Sequence, residues 1–347
     1  MDCSMPPRVA LWSSSFAFGM EAVANEVQAL HENLPQSFIW GINPRQAFIY
    51  KPKKYFATSA RYQLGFRLFT KLFQNRYDIQ HLYGSLGDWF HFRALNQQPA
   101  LLTIALDSNP VEESLRNKIN HFAVEWPSAI EKLKSLGIAE EKITLVLPPV
   151  DLNKFTPTLA PADKFIATFA SSPEKIEAID ARGIPLMLDA AKLKPEMHFK
   201  FKWRNWGESL STVQELIKSQ NLGNVTLDTS LTENMAQVYQ TSHVTLACFT
   251  DLSQCKPMPN SIIESLACAR PVIVTRSLEL APMIEEANAG IVIDEDADQL
   301  AQALTTIQSD WDTYSKNARK LAEDKFCQQR FINQYLDIYE NLTASTN

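Results

Sequence analysis

Cysteine is nearly missing from this chain of 347 residues. The five present, Cys3, Cys248, Cys255, Cys268 and Cys327, are scattered, and no two stand at metal-ligand spacing. An odd, dispersed set excludes a disulfide framework and a zinc cluster, and points to isolated reduced thiols in a cytoplasmic protein. Positive charge is not in excess either: 33 lysines and arginines face 39 acids, a net charge of -6. A general nucleic-acid binder needs a basic surface to neutralise phosphates, so that class is excluded. No uninterrupted apolar run approaches the length that crosses a bilayer. The start, MDCSMPPRVALW, lacks the charged-then-apolar pattern of a secretory leader. Glycine is scarce, 10 residues in all, which leaves few places where bare backbone can press against a ligand. Internal repeats and low-complexity tracts are absent.

What is present is alternation. Short apolar runs at Arg8–Ser13, Ser37–Trp40, Ile79–Leu82, Ala100–Ala105, Phe122–Val124 and Ile143–Leu147 read as strands. Amphipathic stretches such as Met20–Glu32 and Ser128–Leu136 lie between them. A second series runs through Phe165–Phe169, His198–Lys202, Val225–Leu227, Val244–Ala247, Pro271–Val274 and Gly290–Ile293. Three helical segments follow, Ala297–Ser309, Trp311–Lys325 and Cys327–Leu342. This pattern predicts an α/β protein with parallel sheets covered by helices on both faces. The length suits two such domains. Lys154–Asp163, with Pro157 and Pro161 and few apolar anchors, reads as the linker. The expected division is 1–155, 163–325 and a final segment 326–347. Two α/β halves would face each other across a cleft, where open parallel sheets take their ligands.

The most informative stretch is PNSIIESLACARPVIVT, Pro259 to Thr275. A turn at Pro257–Asn260 leads into a helix, Ser261–Cys268, and a buried strand follows. The free N–H groups of such a helix start form an anion site. Glu264 falls one turn inside, where a carboxylate can accept from two vicinal hydroxyls, such as those of a ribose.

This stretch resembles the donor-site signature of the retaining glycosyltransferases of GT-B fold, family 4 in particular. Further segments match in order: DIQHLYG (Asp78–Gly84), PPVDLNKFTP (Pro148–Pro157), ARGIPLMLDAAKL (Ala181–Leu193) and EEANAGIVIDEDADQLAQAL (Glu285–Leu304). The resemblance implies two Rossmann-like domains facing a cleft, with a last helix that crosses back to the first domain. It implies transfer of a sugar from a nucleoside-diphosphate sugar to an acceptor hydroxyl with retention of configuration. The acceptor would be a glycan or a lipid-linked sugar. No cofactor and no metal are expected, because fixed cations would supply the charge of a divalent ion.

The resemblance also assigns roles. Glu264 matches the second glutamate of the family's pair and would hold the donor ribose. The first glutamate of the pair falls at position 256, which is Lys256 here. A lysine only donates, so Lys256 either meets the diphosphate or is a surface lysine. Arg182 takes the place of the family's phosphate-binding lysine, and a guanidinium grips phosphate with two bonds. The neighbouring basic residue of the family is replaced by Ser171 or Ser172. Arg204, at the end of the strand FKFKWR, is a further phosphate candidate, and Asn260 and Ser261 contribute the helix start. Gly19 stands where the first strand turns into the first helix and would let backbone approach a phosphate. Asp107, in TIALDSN, is placed to meet a sugar, but Leu106 replaces the histidine that often precedes it in the family. His81 is either a cleft-floor catalytic residue or a hydrogen-bonded core histidine. Ala269 stands where relatives often have glycine. These departures keep open a catalytically impaired relative that binds a nucleotide sugar or a partner enzyme. An epimerase or phosphorylase on the same architecture ranks behind it, since no paired acid and base is evident.

One tract stands apart. Residues 45–77 hold eight lysines and arginines, nine aromatics and no acid, so the remainder carries 25 basic residues against 39 acids, or -14. This suggests contact with an anionic membrane surface at the inner face. Its apolar positions, Leu64, Leu68 and Leu72, predict a helix packed into the first domain's core.

Overall fold

The computed structural model describes residues 6–13, 22–43, 55–59, 68, 70–96, 99–162, 164–205, 207–232 and 234–344. The chain divides into two compact units: Met1–Pro149 with Gln328–Asn347, and Val150–Cys327.

The first unit is built on seven parallel strands. They are β1 (Val9–Ser13), β2 (Phe38–Asn43), β3 (Tyr55–Ser59), β4 (Ile79–Ser85), β5 (Ala100–Leu106), β6 (His121–Val124) and β7 (Ile143–Leu145). Their order is β3-β2-β1-β4-β5-β6-β7. Runs such as VALWS in β1 and IQHLYGS in β4 are buried at every position, as a sheet covered on both faces requires. The helix Gln328–Ala344 completes this unit. It buries Phe331, Ile332, Tyr335, Ile338, Tyr339 and Leu342, a stripe at helical spacing. That stripe joins Val9, Leu11, Val27, Leu30 and Ile79 in one core.

The basic tract departs from the sequence reading. Tyr55–Ser59 is a strand, paired in parallel with β2 at the edge of the sheet. Leu68 and Leu72 are 61% and 63% exposed and do not enter the core. The buried positions of that segment are polar, Thr70 and Gln74. Gln74 donates to the Ala94 carbonyl at 2.7 Å and accepts from the Asn96 N–H at 2.9 Å. These bonds fix which face turns inward, and the leucines face out. Leu64 and most of the tract lie outside the described residues.

The second unit repeats the plan with six parallel strands. They are β8 (Ile166–Phe169), β9 (His198–Lys202), β10 (Val225–Asp228), β11 (Val244–Ala247), β12 (Val272–Thr275) and β13 (Gly290–Ile293). Their order is β10-β9-β8-β11-β12-β13, so the winding reverses between β8 and β11, where such sheets bind ligands beyond their C-terminal ends.

The units meet in sequence earlier than the linker reading placed them, because much of that linker is bound. Val150 N–H donates to the Phe326 carbonyl at 2.7 Å, and Val150 bridges Cys327. Arg319 donates to the Phe155 carbonyl at 2.9 Å. Arg270, fully buried, donates to Thr158 Oγ1 at 2.7 Å and to the carbonyls of Thr158, Leu159, Tyr239 and Gln240. Its planar fork of donors spreads one charge over many carbonyls. Among the described residues, no helix is long and apolar enough to cross a membrane.

Candidate functional site

The switch point of the second sheet is tightly built. Gly183 opens the helix Ile184–Leu193 with φ 66°. A Cβ there would lie 1.8 Å from the Cys248 carbonyl oxygen, just past β11, so only glycine fits. Arg182 precedes it. Its guanidinium donates to Ser171 Oγ, beyond β8, and lies 5.1 Å from the centroid of Phe249, beyond β11. Arg182 therefore spans the ends of the two strands where the winding reverses. Burial lowers its pKa, with Cys255 nearby opposing that shift.

The helix Asn260–Ala267 starts next to this point. Ile262, Ile263 and Leu266 are buried and fix it against the sheet, and Ser265 Oγ donates to Thr245 Oγ1 of β11 at 2.7 Å. Pro259, at the cap position, is extended and offers no side-chain cap. The N–H groups of Asn260 and Ser261 thus retain their capacity for an acceptor, while that of Ile262 donates to the Pro259 carbonyl at 3.0 Å. Lys256 Nζ donates to Asn260 Oδ1 at 3.3 Å, which places an ammonium group at the helix start.

Glu264, one turn on, is partly buried. Tyr239, on the helix Met235–Gln240, donates its hydroxyl to Glu264 Oε2 at 2.9 Å. Burial pushes the Glu264 carboxyl up to about 7, against the opposing pull of Tyr239, Lys154 and Arg204. Arg204 is exposed just past β9, and its N–H donates to Ser172 Oγ at 3.1 Å. The serine pair in place of a basic residue thus supports the two arginines: Ser171 holds the side chain of Arg182 and Ser172 the backbone of Arg204.

The structure brings Arg182, Arg204, Lys256, Asn260, Ser261 and Glu264 to the C-terminal edge of one sheet. Tyr239 and Lys154 belong with them and were missed. Tyr239 reads as a core position of an amphipathic helix, and Lys154 as a linker charge; only the fold shows their polar ends turned to Glu264.

The remaining candidates lie in the first unit. His81 is fully buried in β4. Its Nδ1 bonds to the Tyr339 hydroxyl and its Nε2 to Thr103 Oγ1, each at 2.7 Å. With both nitrogens engaged inside the core, it is the hydrogen-bonded core histidine of the two alternatives and not a cleft-floor catalytic residue. Asp107 is exposed just past β5, paired with Lys132. Gly19 lies outside the described residues.

Among the described residues, no group of three or more His, Cys, Asp or Glu side chains is arranged to hold a metal ion. The Asp-x-Asp spacing at Asp294, Asp296 and Asp298 serves a helix cap, with Asp296 accepting from the N–H groups of Asp298 and Gln299 at 2.8 and 3.0 Å. A hollow of about 460 Å³ lined by Lys164, His198 and Asn224 opens at the opposite, N-terminal edge of the sheet, away from these groups.

Residues 177–310 match the family model described as Glycosyl transferases group 1. No curated protein sequence matches the chain. Solved structures match nearly all of it. A glycosyltransferase from Rickettsia africae ESF-5 is 16% identical, with a TM-score of 0.75 over 97% of this chain and 98% of that one. The sucrose-phosphate synthase of Thermosynechococcus elongatus is 17% identical, with a TM-score of 0.73 over 97% and 100%. The Anabaena protein HepE, solved with UDP and glucose, is 14% identical, with a TM-score of 0.77 over 97% and 100%. At these identities the likeness establishes the fold: two Rossmann-like domains of the GT-B type.

Proposed function

We propose that this chain is a glycosyltransferase that moves a sugar from a nucleoside-diphosphate sugar to an acceptor hydroxyl with retention of configuration. The observation that carries this reading is one juxtaposition. An uncapped helix start, an acid one turn along it and several cations share the switch-point edge of the second sheet. A pyrophosphate suits the helix start and the cations, and a ribose diol suits the acid. The match of residues 177–310 to the glycosyltransferase family and a structural neighbour solved with UDP support it.

The main barrier in such a transfer is departure of the diphosphate. Arg182, Arg204, Lys256 and the N–H groups of Asn260 and Ser261 would stabilise the charge that develops on the leaving oxygen. One preorganised donor of this kind contributes about 10²–10³ in rate. Fixed cations in this number make a divalent ion unnecessary in the proposed reaction. Asp107 is proposed to meet a sugar from the first unit.

The acceptor is proposed to be a glycan or a lipid-linked sugar, met at the inner face of a membrane by a cytoplasmic protein. Leu68 and Leu72, exposed with Lys71 between them, support docking on anionic lipid.

Calorimetry with nucleoside diphosphates tests the core of this reading. Glu264→Ala should weaken binding at least tenfold, on the order of one lost charge-assisted bond, and leave the unfolding transition in place. Unchanged affinity removes Glu264 from the site. Transfer should persist in EDTA; loss that magnesium restores would contradict the metal-free chemistry. Binding with neither transfer nor donor hydrolysis would favour the impaired relative, a reading motivated by Lys256 at the position of an acid.

A further inference from the structure

Tyr239 is fully buried, yet its one polar atom points at the acid of the proposed donor site. The main chain around it is fixed independently of that contact. Arg270 Nε donates to the Tyr239 carbonyl at 3.2 Å, and the ring lies 6.3 Å from that of Phe155. Its helix and ring are therefore anchored by contacts other than the one to Glu264. It donates to Oε2 alone.

We infer that Tyr239 is a positioning residue for Glu264: its hydroxyl fixes one carboxylate oxygen and leaves the other to accept from the vicinal hydroxyls of a donor ribose. This rests on the donor-site reading above and adds a residue and a proton dependence to it. A hydroxyl donor on Oε2 favours the charged carboxylate, and the charged carboxylate is the form that accepts from both sugar hydroxyls. Burial works in the opposite direction and raises the carboxyl to about 7. The groups facing Glu264 are Tyr239 from its helix, Lys154 from the segment after Val150, Arg204 from the end of β9 and Cys268 from the end of its own helix. Burial raises Tyr239 well above its ordinary value and Cys268 to about 12, so both keep their protons through neutral pH. Diol binding then strengthens as pH rises through the Glu264 transition.

The test titrates uridine and guanosine diphosphates, each beside its 2′,3′-dideoxy form, into the full chain between pH 6 and 9. The dideoxy form carries the same diphosphate, so the ligand's own titration cancels in the comparison. For the wild type, the advantage of the ribo form should grow across neutral pH and level off above it. In Tyr239→Phe the same rise should move up by about one pH unit, as loss of a bond to a charged group implies. That gives about fivefold weaker ribo binding at pH 7 and near-equal binding at pH 9. Circular dichroism and thermal unfolding monitor the fold, and Glu264→Ala is the control. If Glu264→Ala weakens ribo binding while Tyr239→Phe is unchanged, or is weakened equally at every pH, the positioning role is overturned and the donor site stands. If Glu264→Ala binds like the wild type, or neither diphosphate binds, the donor-site reading falls and this inference with it.

Discussion

Ala269 has a backbone φ of 56° at the turn between the helix Asn260–Ala267 and β12. A residue with a Cβ is strained there by about 1–2 kcal/mol. Hydrogen bonds impose the conformation: the Arg270 N–H donates to the Ser265 carbonyl at 3.0 Å and Ser315 Oγ to the Ala269 carbonyl at 2.8 Å. Ala269→Gly should therefore stabilise the second unit by about 0.5–1 kcal/mol after the extra chain entropy of glycine. Calorimetry should show its transition rising by roughly 2 °C, and a fall would mean that the methyl's packing outweighs the strain. Glu264 and the helix start were legible because a ligand contact there depends on position in one local segment. Tyr239 and His81 were not. A hydroxyl or an imidazole in an apolar run says nothing about which partner the fold brings to it.

At the scale of elements, the helix Gln328–Ala344 is attached to its sheet by polar bonds as well as by its apolar stripe. His81 meets Tyr339, and Thr103 meets Tyr335 at 2.7 Å. Burial lowers His81 to about 3, against about 6.5 in an unfolded chain. Between those values the unfolded state takes up the proton first. His81 thus contributes stability that is present above pH 6.5 and lost as pH falls toward 3, with a slope of at most about 1.4 kcal/mol per pH unit. His91 and His121 are lowered by burial in the same unit. His81→Gln should accordingly flatten the acid dependence of the first unit's thermal transition by one proton and leave the rest. An unchanged slope between pH 7 and 4 would show that His81 is not titrating with unfolding. Strands with continuous apolar runs were readable from sequence, and β3 was not. Its sequence, YFATS, falls inside a tract dense in basic and aromatic residues, where no continuous apolar run marks a strand.

For the whole molecule, charge is distributed unevenly: eight basic residues and no acid in 45–77, against -14 elsewhere. An acidic body with one basic, leucine-bearing segment should approach anionic lipid in one orientation. The full chain should co-sediment with phosphatidylserine-containing vesicles at low salt and release at high salt. Leu68→Ser with Leu72→Ser should weaken that binding several-fold without altering nucleotide affinity. Equal binding to neutral vesicles would rule out the charge-led docking. The two-domain plan was legible because each half repeats the same alternation of strand and helix. The junction was not, since Arg270 and Arg319 bind a segment that composition marks as loose.

The second unit is inserted between the strands of the first and the helix Gln328–Ala344 that completes its core. During synthesis, β1–β7 leave the ribosome well before that helix is made. At ordinary translation rates the wait is roughly 10–35 s. Through that interval His81 and Thr103 lack the hydroxyls of Tyr339 and Tyr335, so the first unit completes its core only after the inserted unit has been made.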